Sequence, residues 1–411
     1  MKKYLLFLLT LSSILSCSKN DFNGELSPED APEIIPSSRV VSKSQAGAFC
    51  QKAINAIDNY SGFDVVNRPK RELASVIPVC NEKNSPLMYV ANFKNQSGFM
   101  LISADKESDT FILAYGERGE LIPDKMDKNG PFYTMIEEQK DSIDAKLSQG
   151  IHLENNNYQM WEALCDDSGY SIDLELVNSS YEDDPEILTK SRHKDSYGKM
   201  TVPVSYIISS FTWGQGRGYN EDAPNPGVDY AGCPAVAAGL ICLYHSYPPI
   251  YDYENMPCEV TVHTSNAVSK MLRNIGNRMP GYEWSSSGSG ATGMAILAGL
   301  KRLGFKNAKL EDYSFELAYN DIYNRRPIIL GGESKQGGKH VWVADGYMEQ
   351  SWKVTQSFVG IKIKSWYEYQ DNFFMNWGWD GKNNAWVDQD SWPSYGTDRK
   401  MWYNIFPVET N

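Results

Sequence analysis

Apolar residues recur at helical spacing from Ala46 to Ile57, and the pattern then changes to short apolar runs cut by polar turns. Met88 to Phe93 and Gly98 to Ser103 read as two strands joined by a polar turn, and Phe111 to Tyr115 as a third. Helical spacing returns over Lys125 to Leu147, around the turn signal Asn129-Gly130-Pro131. The first half therefore reads as a small α+β unit, with no convergent set of reactive side chains. The second half opens helix-like at Ser205 to Phe211 and continues with a helix from Cys233 to Tyr247. It ends in strands around His340 to Tyr347, Val359 to Trp366, Asn372 to Trp377 and Met401 to Phe406. Helices first and strands last is the order of an α+β fold.

The segments between these elements divide the chain. Lys2 and Lys3 precede an apolar stretch from Leu5 to Leu15 that is too short to span a bilayer, the pattern of an export signal. Ile14-Leu15-Ser16-Cys17 resembles a bacterial lipoprotein signal with Cys17 as the lipidated residue; the alternative is an ordinary secretory cleavage site. Residues 18–44 are polar and carry Pro and Ser, a tether. Residues 45–180 form the first domain, 181–200 an exposed linker, and 201–411 the second domain. Basic residues in that linker, Lys190, Arg192, Lys194 and Lys199, are where a protease would cut.

With 411 residues the chain has room for two domains, each large enough for a core of its own. A net charge of −13 without a cluster of Lys and Arg argues against a nucleic-acid partner. The 25 Tyr and 11 Trp suit a groove that grips chain-like ligands, and equally a β-rich core. Seven cysteines without a C-x-x-C pair or histidines at zinc-ligand spacing point to no metal, no cofactor and no disulfide framework. Cys242 is about 13 Å along the helix axis from Cys233, too far to bridge it.

Candidate chemistry centres on Tyr230-Ala231-Gly232-Cys233-Pro234, a small-residue turn that delivers a thiol to the start of a helix. The unpaired N–H groups there favour thiolate and lower the cysteine pKa, and Pro234 fits the first turn. A lone cysteine before a helix is more often a buried structural thiol. A nucleophile needs a base, and there are five histidines. His152 and His193 precede the second domain, His245 is about 18 Å of helix rise away, and His263 has no special context. His340 follows Gly337-Gly338-Lys339 at the mouth of a strand and is the leading base. Asn376, in Phe374-Met375-Asn376-Trp377-Gly378-Trp379, is placed to orient the imidazole, with the neighbouring indole shielding that bond from water. Gln215, in Trp213-Gly214-Gln215-Gly216, offers an amide donor for an oxyanion beside the Cys233 N–H.

The order Gln215, Cys233, His340, Asn376 and the strings around them resemble the streptopain family of papain-like cysteine peptidases. The resemblance implies an α+β, papain-like catalytic domain preceded by a small α+β inhibitory prodomain, so a zymogen. It implies that Cys233 and His340 are the catalytic dyad, that Gln215 builds the oxyanion hole, and that Asn376 and Trp377 support the histidine. Ser285 to Gly290 looks like the family's substrate loop, with Ser287, Gly288 and Ser289 as contacts, and Gly338, Lys339 and Trp213 beside the groove. Met88 to Phe93, Gly98 to Asp105 and Leu113 to Tyr115 are similar to the inhibitory propeptide. Cleavage between Lys190 and Lys199 would leave a mature enzyme of roughly 210 residues, a size that suits one domain. Three residues depart from the pattern: Pro234 replaces a valine-like residue, Lys339 intervenes before His340 where a cation would depress its pKa, and Asp380 replaces a glycine.

The expected protein is thus an exported, lipid-anchored, monomeric cysteine endopeptidase at the outer membrane or cell surface. Its partners are protein or peptide substrates and its own prodomain, and its membrane contact is the anchor. Two rivals remain: a cysteine amidase acting on cell-wall peptides, and an adhesin binding glycans or protein through Trp366, Trp377, Trp379 and Trp386.

Overall fold

The computed structural model describes residues 39–60, 70–149, 156–164, 169–177, 210–333, 338–392 and 399–408. Cys17, the linker basic residues Lys190, Arg192, Lys194 and Lys199, and the start of the Ser205 helix lie outside them. The described residues begin at Arg39, within the stretch read as the tether. Arg39 forks onto the Asp105 carboxylate at 2.9 and 2.8 Å, and Ser42 caps helix α1 (Lys43–Asn59) in a reciprocal capping box with Gln45.

Strand β1 (Leu73–Cys80) is not legible in the pattern, because Pro78 interrupts it and its residues alternate irregularly between part-buried and exposed. It lies at the end of the sheet, where a proline is tolerated. The three expected strands follow as β2 (Pro86–Phe93), β3 (Phe99–Ser103) and β4 (Ile112–Gly116), in an antiparallel meander. Helix α2 spans Pro131–Gln149 and begins at the proline rather than at Lys125, since Pro suits a first helical position and not an interior one. Helix α3 (Asn156–Glu162) and strand β5 (Tyr170–Leu176) complete this half.

The second half contributes helices α4 (Cys233–His245), α5 (Ala267–Arg278), α6 (Gly293–Leu303) and α7 (Phe315–Tyr323), with strand β6 (Lys309–Asp312) between the last two. Strands β7 (Ile328–Glu333), β8 (Lys339–Phe358), β9 (Ile361–Asn376), β10 (Ala385–Asp388) and β11 (Lys400–Tyr403) follow. The separate strands expected at 340–347, 359–366 and 372–377 are one long hairpin, β8–β9, turning at Val359 and Gly360 with φ of 49° and 81°. Polar residues lie between the expected strands. In the structure they face each other across the ladder, Glu349 opposite Asp371 and Gln350 opposite Gln370.

This hairpin joins the two halves. The described strands form one sheet in the order β1-β2-β3-β4-β10-β9-β8-β7-β11-β6, and β5 pairs with the distal half of β8. Among the described residues two ladders join the halves: β4–β10, with Tyr115 opposite Trp386 and Ala114 opposite Val387, and β5–β8, from Tyr170 opposite Phe358 to Leu176 opposite Trp352. Separate cores were expected, yet two of the three apolar clusters draw on both halves. Phe49, Ile54, Phe111 and Trp161 pack with Met348, Trp352, Val354, Trp366 and Trp386. On the opposite sheet face, Leu101, Phe132 and Met135 pack with Trp342, Phe373, Met375 and Trp377. Only the third cluster, helices α4 to α6 against Ile329, Val341 and Val343, belongs to the second half alone.

Two outcomes follow from this shared burial. Trp352→Ala should lower the unfolding free energy of the full chain by about 3–5 kcal/mol in a urea titration, as expected for a buried tryptophan. A chain cut by added protease between residues 178 and 209 should run as one species on gel filtration at neutral pH; separation of the pieces would show that the shared core does not hold them.

Candidate active site

The Cys233 turn is built by backbone. Gly232 has φ 87° and ψ 141°, a conformation that suits glycine, and the Ala231 N–H donates to the Gln215 carbonyl at 2.8 Å. Cys233 is the first residue of α4, whose interior from Ala235 to Leu243 is buried. The Val341 N–H, one residue beyond His340, lies close enough to the Cys233 sulfur to favour its thiolate, so helix start and strand mouth meet at the thiol. Its electrostatics differ from the sequence expectation. Burial pushes the Cys233 thiol up to about 11 and outweighs the backbone N–H bonds that act the other way.

His340 is buried, with 8% of its surface exposed. One ring nitrogen, Nε2, lies 2.8 Å from the Trp377 carbonyl oxygen. A carbonyl only accepts, so Nε2 carries the proton and Nδ1 is left as a free base. Burial pushes the imidazole down to about 4, against the weaker raising effect of that carbonyl. Lys339 is not the cause: it pairs with Glu333 across the β7–β8 ladder at 3.2 Å and is largely exposed. Thiol and imidazole are therefore both neutral in this state.

The supporting residues sit close by, some in other roles than expected. Asn376 is fully buried, donating to the Phe211 carbonyl at 2.8 Å and accepting from the Gly378 N–H at 3.2 Å. It shapes the turn, and the carbonyl of its neighbour Trp377 holds the ring of His340. The Trp377 indole N–H donates to Asn383 O at 2.8 Å, and its ring packs on Trp342 at 5.1 Å. Gln215 Nε2 makes a long 3.5 Å contact to the Gly378 carbonyl, a weak bond that leaves the amide available. Asp380 adopts φ 55°, which explains why glycine suits that position, and its carboxylate lies over Gly214, where a Cβ would come within 1.8 Å of Oδ1.

The expected groove residues divide. Ser287 and Gly288 are exposed on the loop, and so are Gly338 and Lys339. Ser289 is buried; its hydroxyl accepts from the Ser285 N–H at 2.8 Å, so its side chain closes the loop rather than facing a ligand. Trp213 is a correction: it is fully buried, donating to Pro257 O at 2.9 Å and touching the α4 position Gly239, so it is core. Trp366, Trp377 and Trp386 are buried as well, so of the four tryptophans expected on an adhesin surface Trp379 alone is part-exposed. Among the described residues no group of three or more His, Cys, Asp or Glu is placed to hold a metal ion.

The first half reaches the site through residues that no motif flagged. Trp379 stands edge-on to His340 at 5.8 Å, and its indole N–H donates to Asp127 at 3.2 Å. Phe132 meets Trp377 at 6.0 Å. A cleft of about 530 Å³ lies between residues 118–133 and Thr212 with Trp379 to Asn383. These contacts join residues some 250 positions apart, so only the shared sheet could reveal them.

Because His340 is pushed down to about 4 in the fold and titrates near 6.5 when unfolded, the unfolded chain binds the extra proton between those values. The contribution of His340 to stability is therefore complete above about pH 6.5 and falls by up to about 3 kcal/mol as pH drops through 4. Glu349 and Asp388, both pushed up to about 7 by burial, slope oppositely over their own range. The measurement is thus the difference between the parent chain and His340→Gln, by urea titration from pH 4 to 7. The parent should lose more stability on acidification than the variant.

Residues 38–143 match the family model of the Spi protease inhibitor, and residues 249–387 match that of the Peptidase C10 family, the streptopain family. The second match includes His340 and Asn376 and begins after Cys233, whose placement rests on the geometry above. No curated protein matches the chain. The chain thus carries an inhibitor domain ahead of a cysteine-type peptidase domain, the arrangement of the streptopain family.

Proposed function

We propose that the chain is the exported zymogen of a cysteine endopeptidase, in which a papain-like catalytic half cleaves peptide bonds through Cys233 and His340. The observation that carries this reading is the meeting of the α4 start with the mouth of β8, where the Val341 N–H lies near the Cys233 sulfur and the next-door His340 is held through Nε2 by the Trp377 carbonyl, leaving Nδ1 as the basic nitrogen. Nδ1 takes the thiol proton as sulfur attacks the substrate carbonyl, and the oxyanion accepts hydrogen bonds from the Cys233 N–H and the Gln215 amide. The imidazolium then gives its proton to the leaving amine, and water, activated by Nδ1, hydrolyses the thioester. Trp377, through its carbonyl, and Asn376, through the turn, keep the ring in one tautomer throughout. Ser287, Gly288, Gly338 and Lys339 border the groove.

The neutral thiol and imidazole describe the latent form. Burial disfavours the thiolate–imidazolium pair, and part of that burial comes from the first half through Asp127 and Phe132. Cleavage in the linker of residues 181–200, at Lys190, Arg192, Lys194 or Lys199, would open the chain, and further proteolysis of residues 45–180, which the shared cores otherwise retain, would let water reach the pair and stabilise its charged form. The leader, with Cys17 as the lipid-bearing residue, would place the zymogen at the outer membrane or cell surface, from which the mature enzyme is released.

Intact mass and casein cleavage over time, under reducing conditions, test this reading. The chain from Ser18 should shorten to a product beginning between Ser191 and Met200 and gain activity, while Cys233→Ala stays long and loses at least about 10³-fold in rate, in line with removal of a nucleophile. A parent chain that stays full length and inert, even after trypsin nicking of the linker, would assign the function to a binding surface instead. Cleavage only of peptides bearing D-residues would favour the cell-wall amidase.

A further inference from the structure

Helix α4 starts at a residue that cannot cap it. Gly232 has no side chain, and no side-chain oxygen of its own segment receives the first N–H groups of the helix. The place a capping side chain would take is filled from elsewhere. A Cβ on Gly232 would lie 2.2 Å from the hydroxyl of Tyr282, which donates to the Ala231 carbonyl at 2.5 Å. The Ala235 N–H in the first turn of α4 lies close to the same hydroxyl and donates to the Gly232 carbonyl at 3.1 Å. One phenol thus sits across the turn, donating to the residue before Gly232 and packed against the first turn of the helix.

The ring of Tyr282 is itself held. It packs on Trp284 at 4.8 Å, and the Arg273 guanidinium stacks over Trp284 at 4.6 Å. Immediately beyond, Glu283 and Gly290 exchange two backbone hydrogen bonds that close the 285–290 loop. That loop returns to the nucleophile turn, where the Tyr230 N–H donates to the Ser285 carbonyl at 3.0 Å.

We propose that Tyr282 is a positioning residue for the nucleophile. Its hydroxyl fills the space beside Gly232, fixes the Ala231 carbonyl, and so holds the Gly232–Cys233 peptide with the thiol towards His340 and the Cys233 N–H towards the oxyanion. It also ties the turn to the loop at 285–290, so that a ligand bound on the loop and the thiol share one rigid support. The inference rests on the reading of Cys233 as the nucleophile.

Tyr282→Phe removes the hydroxyl and keeps the ring. In the processed enzyme it should lower kcat about ten- to a hundredfold with KM changed less than about threefold, since misplacement of a reacting group is costly while the loop contacts remain. The pH profile of iodoacetamide alkylation at Cys233, read peptide by peptide by mass spectrometry on the full chain, should shift to higher pH. That second readout needs no turnover and is taken at 4 °C if the variant melts near the assay temperature. A variant that keeps the parent's kcat and alkylation profile, whether or not it melts earlier, overturns the proposal. A parent enzyme that stays active after Cys233 is fully alkylated overturns instead the reading on which the proposal stands.

Discussion

The β8–β9 hairpin is the constraint on which the rest of the molecule depends, because its two ends serve different masters. At the near end β8 pairs with β7, carries His340 and Val341 to the Cys233 helix, and faces the turn that presents the Trp377 carbonyl. At the far end β8 pairs with β5, and Trp352 and Trp366 fill the core beneath α1. A strand of this length spans about 65 Å at the usual rise, enough to reach both places without a break. The first half cannot complete its own core without this ribbon, and the ribbon cannot bury its tryptophans without the first half.

Inhibition and catalytic geometry are therefore mechanically linked. The contacts of Asp127 with Trp379 and of Phe132 with Trp377 bring the inhibitor half against the two tryptophans nearest His340. Burial leaves both candidate catalytic groups uncharged, and a neutral pair is a poor nucleophile–acid couple. Latency on this view needs no displaced residue. It needs only that charge separation be costly where water is excluded.

Within the peptidase half, geometry is supplied mostly by backbone. The Cys233 turn rests on Gln215 O, on Val341 N–H and on the hydroxyl of Tyr282, and the imidazole on Trp377 O. Backbone groups are fixed by the ladder and the helix that contain them, so they orient a side chain at little further entropic cost. Asn376, which sequence logic ranks as the partner of the histidine, acts one step removed by fixing the turn between Phe211 and Gly378.

Local chemistry was legible in the residues themselves. Glycine and proline around Cys233 mark a helix start, since only certain backbone angles suit them, and apolar runs at β2, β3 and β4 declare strands by pattern alone. The motifs around Gln215, His340 and Asn376 pointed to the same peptidase family that the matched segments name. Whatever joins distant parts of the chain was decided by tertiary structure: Trp213 is core, the broken-looking stretch around Glu349 to Asp371 is continuous ladder, and two cores are shared between halves. Burial of the thiol and imidazole belongs to the same class, because desolvation depends on every neighbour in space. Spacing along a sequence encodes angles and periodicity; it does not encode which surface, more than a hundred residues away, will exclude the water.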